Sequence, residues 1–97
     1  MALEFLTATW AMELGGDGIR VVAVAPGPTE APALQDVYRG LSPGRAAELA
    51  SRSLTRIPLG RRAKPEEIAW WITTAAGPDA AYLTGTVLRV DGGVSVA

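Results

Sequence analysis

The chain has 97 residues, nine Lys+Arg against ten Asp+Glu, and neither His nor Cys. That length holds one small domain at most, and the missing residue types exclude an imidazole base, a thiolate nucleophile, a disulfide framework and a zinc or iron site of the usual N/S kind. A net charge of −1 argues against a groove that holds nucleic acid by counterion release, and no apolar run reaches the roughly 20 residues of a membrane span, so the expectation is a soluble, cytoplasmic protein with neither nucleic-acid nor membrane partner.

Met1 to Leu14 places Leu3, Leu6, Trp10 and Leu14 three, four and four apart, the apolar stripe of an amphipathic helix. Gly15-Gly16-Asp17-Gly18 supplies residues that tolerate positive φ and cap its C-terminus. This cluster is not a dinucleotide fingerprint, because that loop follows a strand and opens a helix, whereas this one does the reverse. No Ser, Thr, Asp or Asn precedes Leu3 to accept the first free N–H groups, so the helix is expected to begin in its middle. Ile19 to Ala25 (IRVVAVA) is too continuously apolar for a strand with one wet face and predicts a buried parallel strand, stopped by Pro26-Gly27-Pro28. Thr29 to Thr55 is expected to be a polar, mobile connection with one weak helical pattern, Arg45 to Leu54, after the cap Ser42-Pro43. Pro65-Glu66-Glu67 opens a further helix, with Ile68, Trp71, Ile72 and Ala75 on one face and Gly77-Pro78-Asp79 as its end. Thr86 to Val90 forms a second strand that closes in the turn Asp91-Gly92-Gly93. The order predicts two parallel strands joined by a helical crossover, with one helix in front. A strand as apolar as VVAVA asks for neighbours on both edges and helices on both faces, so the pair reads as part of a larger sheet.

The best candidate site is Pro26-Gly27-Pro28-Thr29, since a turn at the carboxyl end of a parallel strand is where open α/β sheets bind ligands. The other candidates favour structural roles. Glu66 and Glu67 diverge by about 100° around a helix and already complement its dipole. Ser42, Ser51, Ser53 and Ser95 have no His to activate them. Arg61 and Arg62, beside Lys64, are read as solvating a loop rather than steering an anionic cofactor, and Asp91 as bonding its local backbone. Trp70 and Trp71 cannot share one helix face, so one of them is expected to meet a partner surface.

The succession GIRVVAVAPGPTEAP, IPLGRRAKPEEIAWWI and AAYLTGTVLRVDGG resembles the C-terminal part of the short-chain dehydrogenase/reductase family, loosening between about Leu34 and Arg56. The resemblance implies a doubly wound, parallel, Rossmann-like α/β sheet. Residues 1–97 would be one partial domain contributing two strands, the family's sixth and seventh, with three to four helices and a substrate-covering segment near residues 33–56. It implies NAD or NADP as cofactor and hydride transfer between nicotinamide and an alcohol or carbonyl. It also implies that the phosphate-cradling glycine loop, the catalytic Ser and the Tyr-x-x-x-Lys pair would precede Met1. Neither Tyr38 nor Tyr82 has Lys four residues later, so no catalytic residue and no metal ligand is assigned here. Without a phenol acidified by a nearby ammonium, the chain alone is expected to be inactive.

What the resemblance carries over is a cofactor-binding edge, Pro26, Gly27, Pro28 and Thr29, which in the family bonds the carboxamide and packs on the ring. Thr29 stands where the family has an aliphatic residue, and Ala31 replaces its usual Thr. Three readings follow: an incomplete piece of an NAD(P)-dependent oxidoreductase; a non-enzymatic module docking on a second copy or an intact family subunit through its two amphipathic helices; and, more weakly, a small anion- or nucleotide-binding domain, for which the pyrophosphate-binding half is missing.

Overall fold

The computed structural model of the chain describes residues 2–97, so Met1, the head of the first expected helix, lies outside the described residues. Helix α1 (Ala2–Leu14) passes through a 3-10 turn, Gly15–Asp17, into strand β1 (Val22–Pro26); helices α2 (Pro32–Arg39), α3 (Pro43–Thr55) and α4 (Pro65–Ala76) then cross over to strand β2 (Thr86–Val90). The strands run parallel, in register from Val22 opposite Thr86 to Pro26 opposite Val90. Gly18, at φ 75°, donates its N–H to the Gly15 carbonyl at 3.0 Å and turns the chain out of α1, which bears out the capping role of the glycine cluster.

Strand β1 begins later and ends later than the sequence pattern suggests. Ile19 donates back to the Leu14 carbonyl at 3.2 Å, and Val21 bonds the Thr84 hydroxyl and accepts from the Gly85 N–H, so these residues are taken by turns before the ladder starts. Pro26 closes the ladder from inside. The next N–H, that of Gly27, points to β2 and bonds the Val90 carbonyl at 3.0 Å; by alternation the missing donor of Pro26 falls on the free edge, where nothing needs it. The connection is also more helical than expected. The Ser42 hydroxyl accepts from the Arg45 N–H at 3.3 Å and starts α3 as foreseen, whereas α2 starts on Pro32 with Ala31 as a cap that offers no side-chain acceptor.

Arg89 of β2 pairs with Glu4 of α1, which identifies the sheet face that α1 covers. Alternation puts Ala23, Ala25 and Val87 on that face, and such small side chains let the helix lie close: a Cβ on Gly85 would sit 3.4 Å from that of Ala11. Helix α4 covers β1 on the opposite face, where Ala75 is buried. The burial pattern corrects the stripe expected on α1, while the one expected on α4 includes its buried residue, Ala75. Helix α1 buries Thr7 and Ala11, whereas Leu3, Leu6 and Trp10 lie a step round the helix and stay open, Trp10 at 50% exposure. On α4, Ile68 is half-buried, but Trp71 and Ile72 are exposed, Ile72 beside an open cleft of about 500 Å³ that also bares Val22 and Val24.

Arg20 ties β1 to the far end of α4. Its guanidinium donates to the carbonyls of Ala75 (2.7 Å) and Gly77 (3.2 Å), acceptors at the end of α4, and to that of Leu83 (3.3 Å) in the loop before β2. The molecule is elongated, 56 × 24 × 21 Å, with a radius of gyration of 17.1 Å where a compact chain of this length has about 12–13 Å. Its accessible surface is 6945 Å², against about 5,300 Å² for a compact protein of 10.1 kDa. Among the described residues only Thr7, Ala11, Ile57 and Ala75 are buried.

Candidate functional site at the carboxyl edge of the strands

Three turns meet where both strands end. The Pro26-Gly27 turn lies so close to the one after β2 that a Cβ on Gly27 would come within 2.5 Å of the Asp91 Cα. The third is the segment before α4. Ala63 donates to the Pro28 carbonyl at 3.0 Å, Glu30 donates to the Ala63 carbonyl at 2.9 Å, and Leu59 donates to the Gly92 carbonyl at 3.1 Å. The structure thus brings together all four expected site residues, Pro26, Gly27, Pro28 and Thr29, and adds a wall the sequence reading did not assign: Ile57, buried, and Leu59 to Ala63. The signal for that wall is Ile57-Pro58-Leu59-Gly60, an apolar pair around a proline before a glycine at φ 76°.

Three ionisable groups nearby, Asp91, Glu67 and Arg61, are engaged. Asp91 accepts the N–H of Gly93 at 2.9 Å and of Ser95 at 3.0 Å. Hydrogen bonding from the Ser95 side chain, then from the Gly93 N–H, holds its carboxyl below the ordinary aspartate range, so it stays ionised as a turn former. Glu67 takes both arms of the Arg61 guanidinium, at 2.7 and 2.9 Å, and accepts the Lys64 N–H at 2.9 Å. The Arg61 bond, followed by the Lys64 N–H, pulls Glu67 down to about 2, far from the range of a general base at neutral pH. Arg61 is correspondingly raised by Glu67 and is committed to it, which agrees with a structural role for that arginine. Trp70 and Trp71 are both exposed and stack edge-to-face on each other, with centroids 4.9 Å apart.

The residues present do not make a nicotinamide nucleotide site. Pro26 and Pro28 have no N–H, the Gly27 N–H is spent on Val90, and the Thr29 hydroxyl donates to the Gly27 carbonyl at 2.9 Å. The Thr29 N–H is the donor of this turn left without a partner among the described residues, and Ala31 supplies no hydroxyl. Gly15–Gly18, the one glycine cluster before a strand, precedes its amino end and so cannot cradle a pyrophosphate here. The gap between Pro28, Ala63, Trp71 and Asp91 is about 100 Å³, below the size of a ligand pocket, whereas a cleft that Pro28 shares with α3 reaches about 420 Å³. No group of Asp and Glu among the described residues is placed to hold a metal, and no helix there is long and apolar enough to cross a membrane.

A family model described as enoyl-(acyl carrier protein) reductase matches residues 1–95. The chain is 46% identical over 91 residues to a 3-oxoacyl-[acyl-carrier-protein] reductase of Thermotoga maritima, covering 94% of this chain and 34% of that relative. A crystal structure of a short chain dehydrogenase family protein from Francisella tularensis superposes with a TM-score of 0.83 at 26% identity, over 99% of this chain and 41% of its own. One from Bacillus anthracis does so with a TM-score of 0.77 at 38% identity, over 98% and 34%. The chain therefore spans about a third to two fifths of the length of these three proteins. Parallel strands under helices on both faces, with the Pro-Gly and Asp-Gly-Gly turns abutting at their carboxyl ends, match the family model along nearly the whole sequence, and the chain belongs to the short-chain dehydrogenase/reductase family.

Proposed function

We propose that this chain is the C-terminal, substrate-side portion of a cytoplasmic, NAD(P)-dependent oxidoreductase acting on an alcohol or carbonyl compound. On this reading the residues that hold the cofactor phosphates and protonate the substrate come from another stretch of polypeptide. The observation that carries it is the close approach of Gly27 to Asp91, which fixes the Pro26–Thr29 turn at the carboxyl edge of two parallel strands, the place where ligands enter sheets of this kind. Reducing a carbonyl needs a proton at its oxygen as well as a hydride, and the tyrosines do not serve that end. Tyr82 is fully exposed just before β2, at the amino end of the strands, and Tyr38 lies on α2 in a groove shared with α3.

The test is turnover. Purified chain, NADH or NADPH and a panel of aldehydes and ketones are expected to show no loss of reduced nicotinamide, and calorimetric titration at millimolar cofactor is expected to show no binding. Adding a family segment that carries the glycine loop and Tyr-x-x-x-Lys is expected to restore both. Catalysis by the chain unaided would overturn the reading.

A second reading, a docking module for a second copy or an intact family subunit, is favoured by one observation: the accessible surface exceeds that of a compact protein by about 1,600 Å², roughly twice the 800 Å² or so that one partner contributes to a standard interface.

A further inference from the structure

We propose that the cleft between α3 and the Ile57–Arg62 segment is the receiving site for the carboxylate of an amphipathic substrate, an anionic head on an apolar body. The proposal rests on the oxidoreductase reading for its place beside the reactive edge, which Pro28 lines as well. Its volume, about 420 Å³, is that of a small-molecule site. Arg52, Arg56 and Arg62 line it and no carboxylate does.

Two of these arginines stand out from the rest. Arg20 serves helix-end carbonyls, while Arg39, Arg45, Arg52, Arg61 and Arg89 each pair with a carboxylate. The guanidinium groups of Arg56 and Arg62 have no partner among the described residues, although Arg62 is half-buried. Of the three lining arginines, Glu48 answers Arg52 alone; holding Arg56 and Arg62 beside it without a counter-charge of their own works against folding, so the arrangement is explained by a ligand that supplies the missing negative charge. The planar fork of arginine matches a carboxylate in two parallel hydrogen bonds. Between these groups, Leu49 and Ile57 give the cleft an apolar floor and Ser53 adds a hydroxyl. A bare inorganic anion uses the arginines and leaves that floor wet, whereas an alkyl carboxylate uses both.

The experiment titrates the full 97-residue chain with octanoate, octanol and inorganic phosphate. It follows the arginine Nε–Hε signals by NMR and the melting temperature by circular dichroism. Octanoate is expected to move the Arg56 and Arg62 signals and to bind at least tenfold more tightly than either octanol or phosphate. The double variant R56Q/R62Q is expected to bind octanoate at least tenfold more weakly while melting no lower than the parent without ligand, and R39Q to bind as the parent does. Phosphate equal to octanoate would reduce the cleft to a bare charge patch, and octanol equal to octanoate would reduce it to a greasy one. Either result overturns the proposal, as does an unchanged double variant, a lower melting temperature of that variant without ligand, or no response to octanoate at all. None of these readouts involves a cofactor, so a failure of the oxidoreductase reading shows in turnover and cofactor titration alone.

Discussion

Gly27 is fixed by what stands across from it. Its backbone is not among the positive-φ glycines, so the requirement is space: a methyl group there would sit 2.5 Å from the Asp91 Cα and 2.7 Å from its Cβ. Backbone on both sides has to shift to admit it, and the Gly27→Ala variant is expected to lose about 1–3 kcal/mol in denaturant unfolding. Gly18 makes the opposite case. Its φ of 75° strains any side chain, yet nothing lies within 4 Å of the added carbon. The Pro-Gly pair was legible as a strand-end turn and as a family feature. Its reason was not, because the obstructing residue lies 64 positions further along (91 − 27) and only the parallel register brings it near.

The start of α4 shows how one charged residue can hold an element. Glu67 caps the Lys64 N–H and grips Arg61, and its carboxyl is depressed from 4.5 to about 2. A group depressed on folding contributes stability above its unfolded value, and that contribution disappears as pH falls through the folded one. The melting temperature is therefore expected to drop as pH goes from about 4.5 toward about 2, and the Glu67→Gln variant to show a shallower slope over that window. Asp91, lowered by Ser95 and Gly93, adds to the fall in the same direction. Elements with a chemical start signal were legible: Ser42-Pro43 for α3 and Pro65-Glu66-Glu67 for α4. Helix α2 was not, since it begins at a cap without a side-chain acceptor and is supported by the exposed pair Arg39–Asp36. The periodicities of α1 and α4 identified helices correctly; the α4 stripe includes that helix's buried residue, Ala75, whereas the α1 stripe misses the buried ones, because the residues that approach the strands there are small, Thr7 and Ala11.

At the scale of the whole molecule, a chain that buries four of its described residues and exposes Leu3, Leu6, Trp10, Trp70, Trp71 and Ile72 has more apolar surface than a lone protein of its size keeps. The full chain is expected to self-associate in sedimentation experiments and to enhance the fluorescence of an apolar dye, both effects weakening when Leu6 and Trp10 are replaced by Glu. A monodisperse monomer that ignores the dye would count against any docking role. The edge that β1 leaves unpaired was legible in VVAVA, whereas the orientation of the open stripes depends on packing. Pro26 adds a consequence of its own. A third strand laid along the bare margin of β1 would be stitched by the amides of Val22 and Val24 and then released, because the next stitch has no hydrogen to give. The seam between the two strands would part at the level where Gly27 begins, leaving a notch in the assembled sheet that opens toward whatever the turn receives.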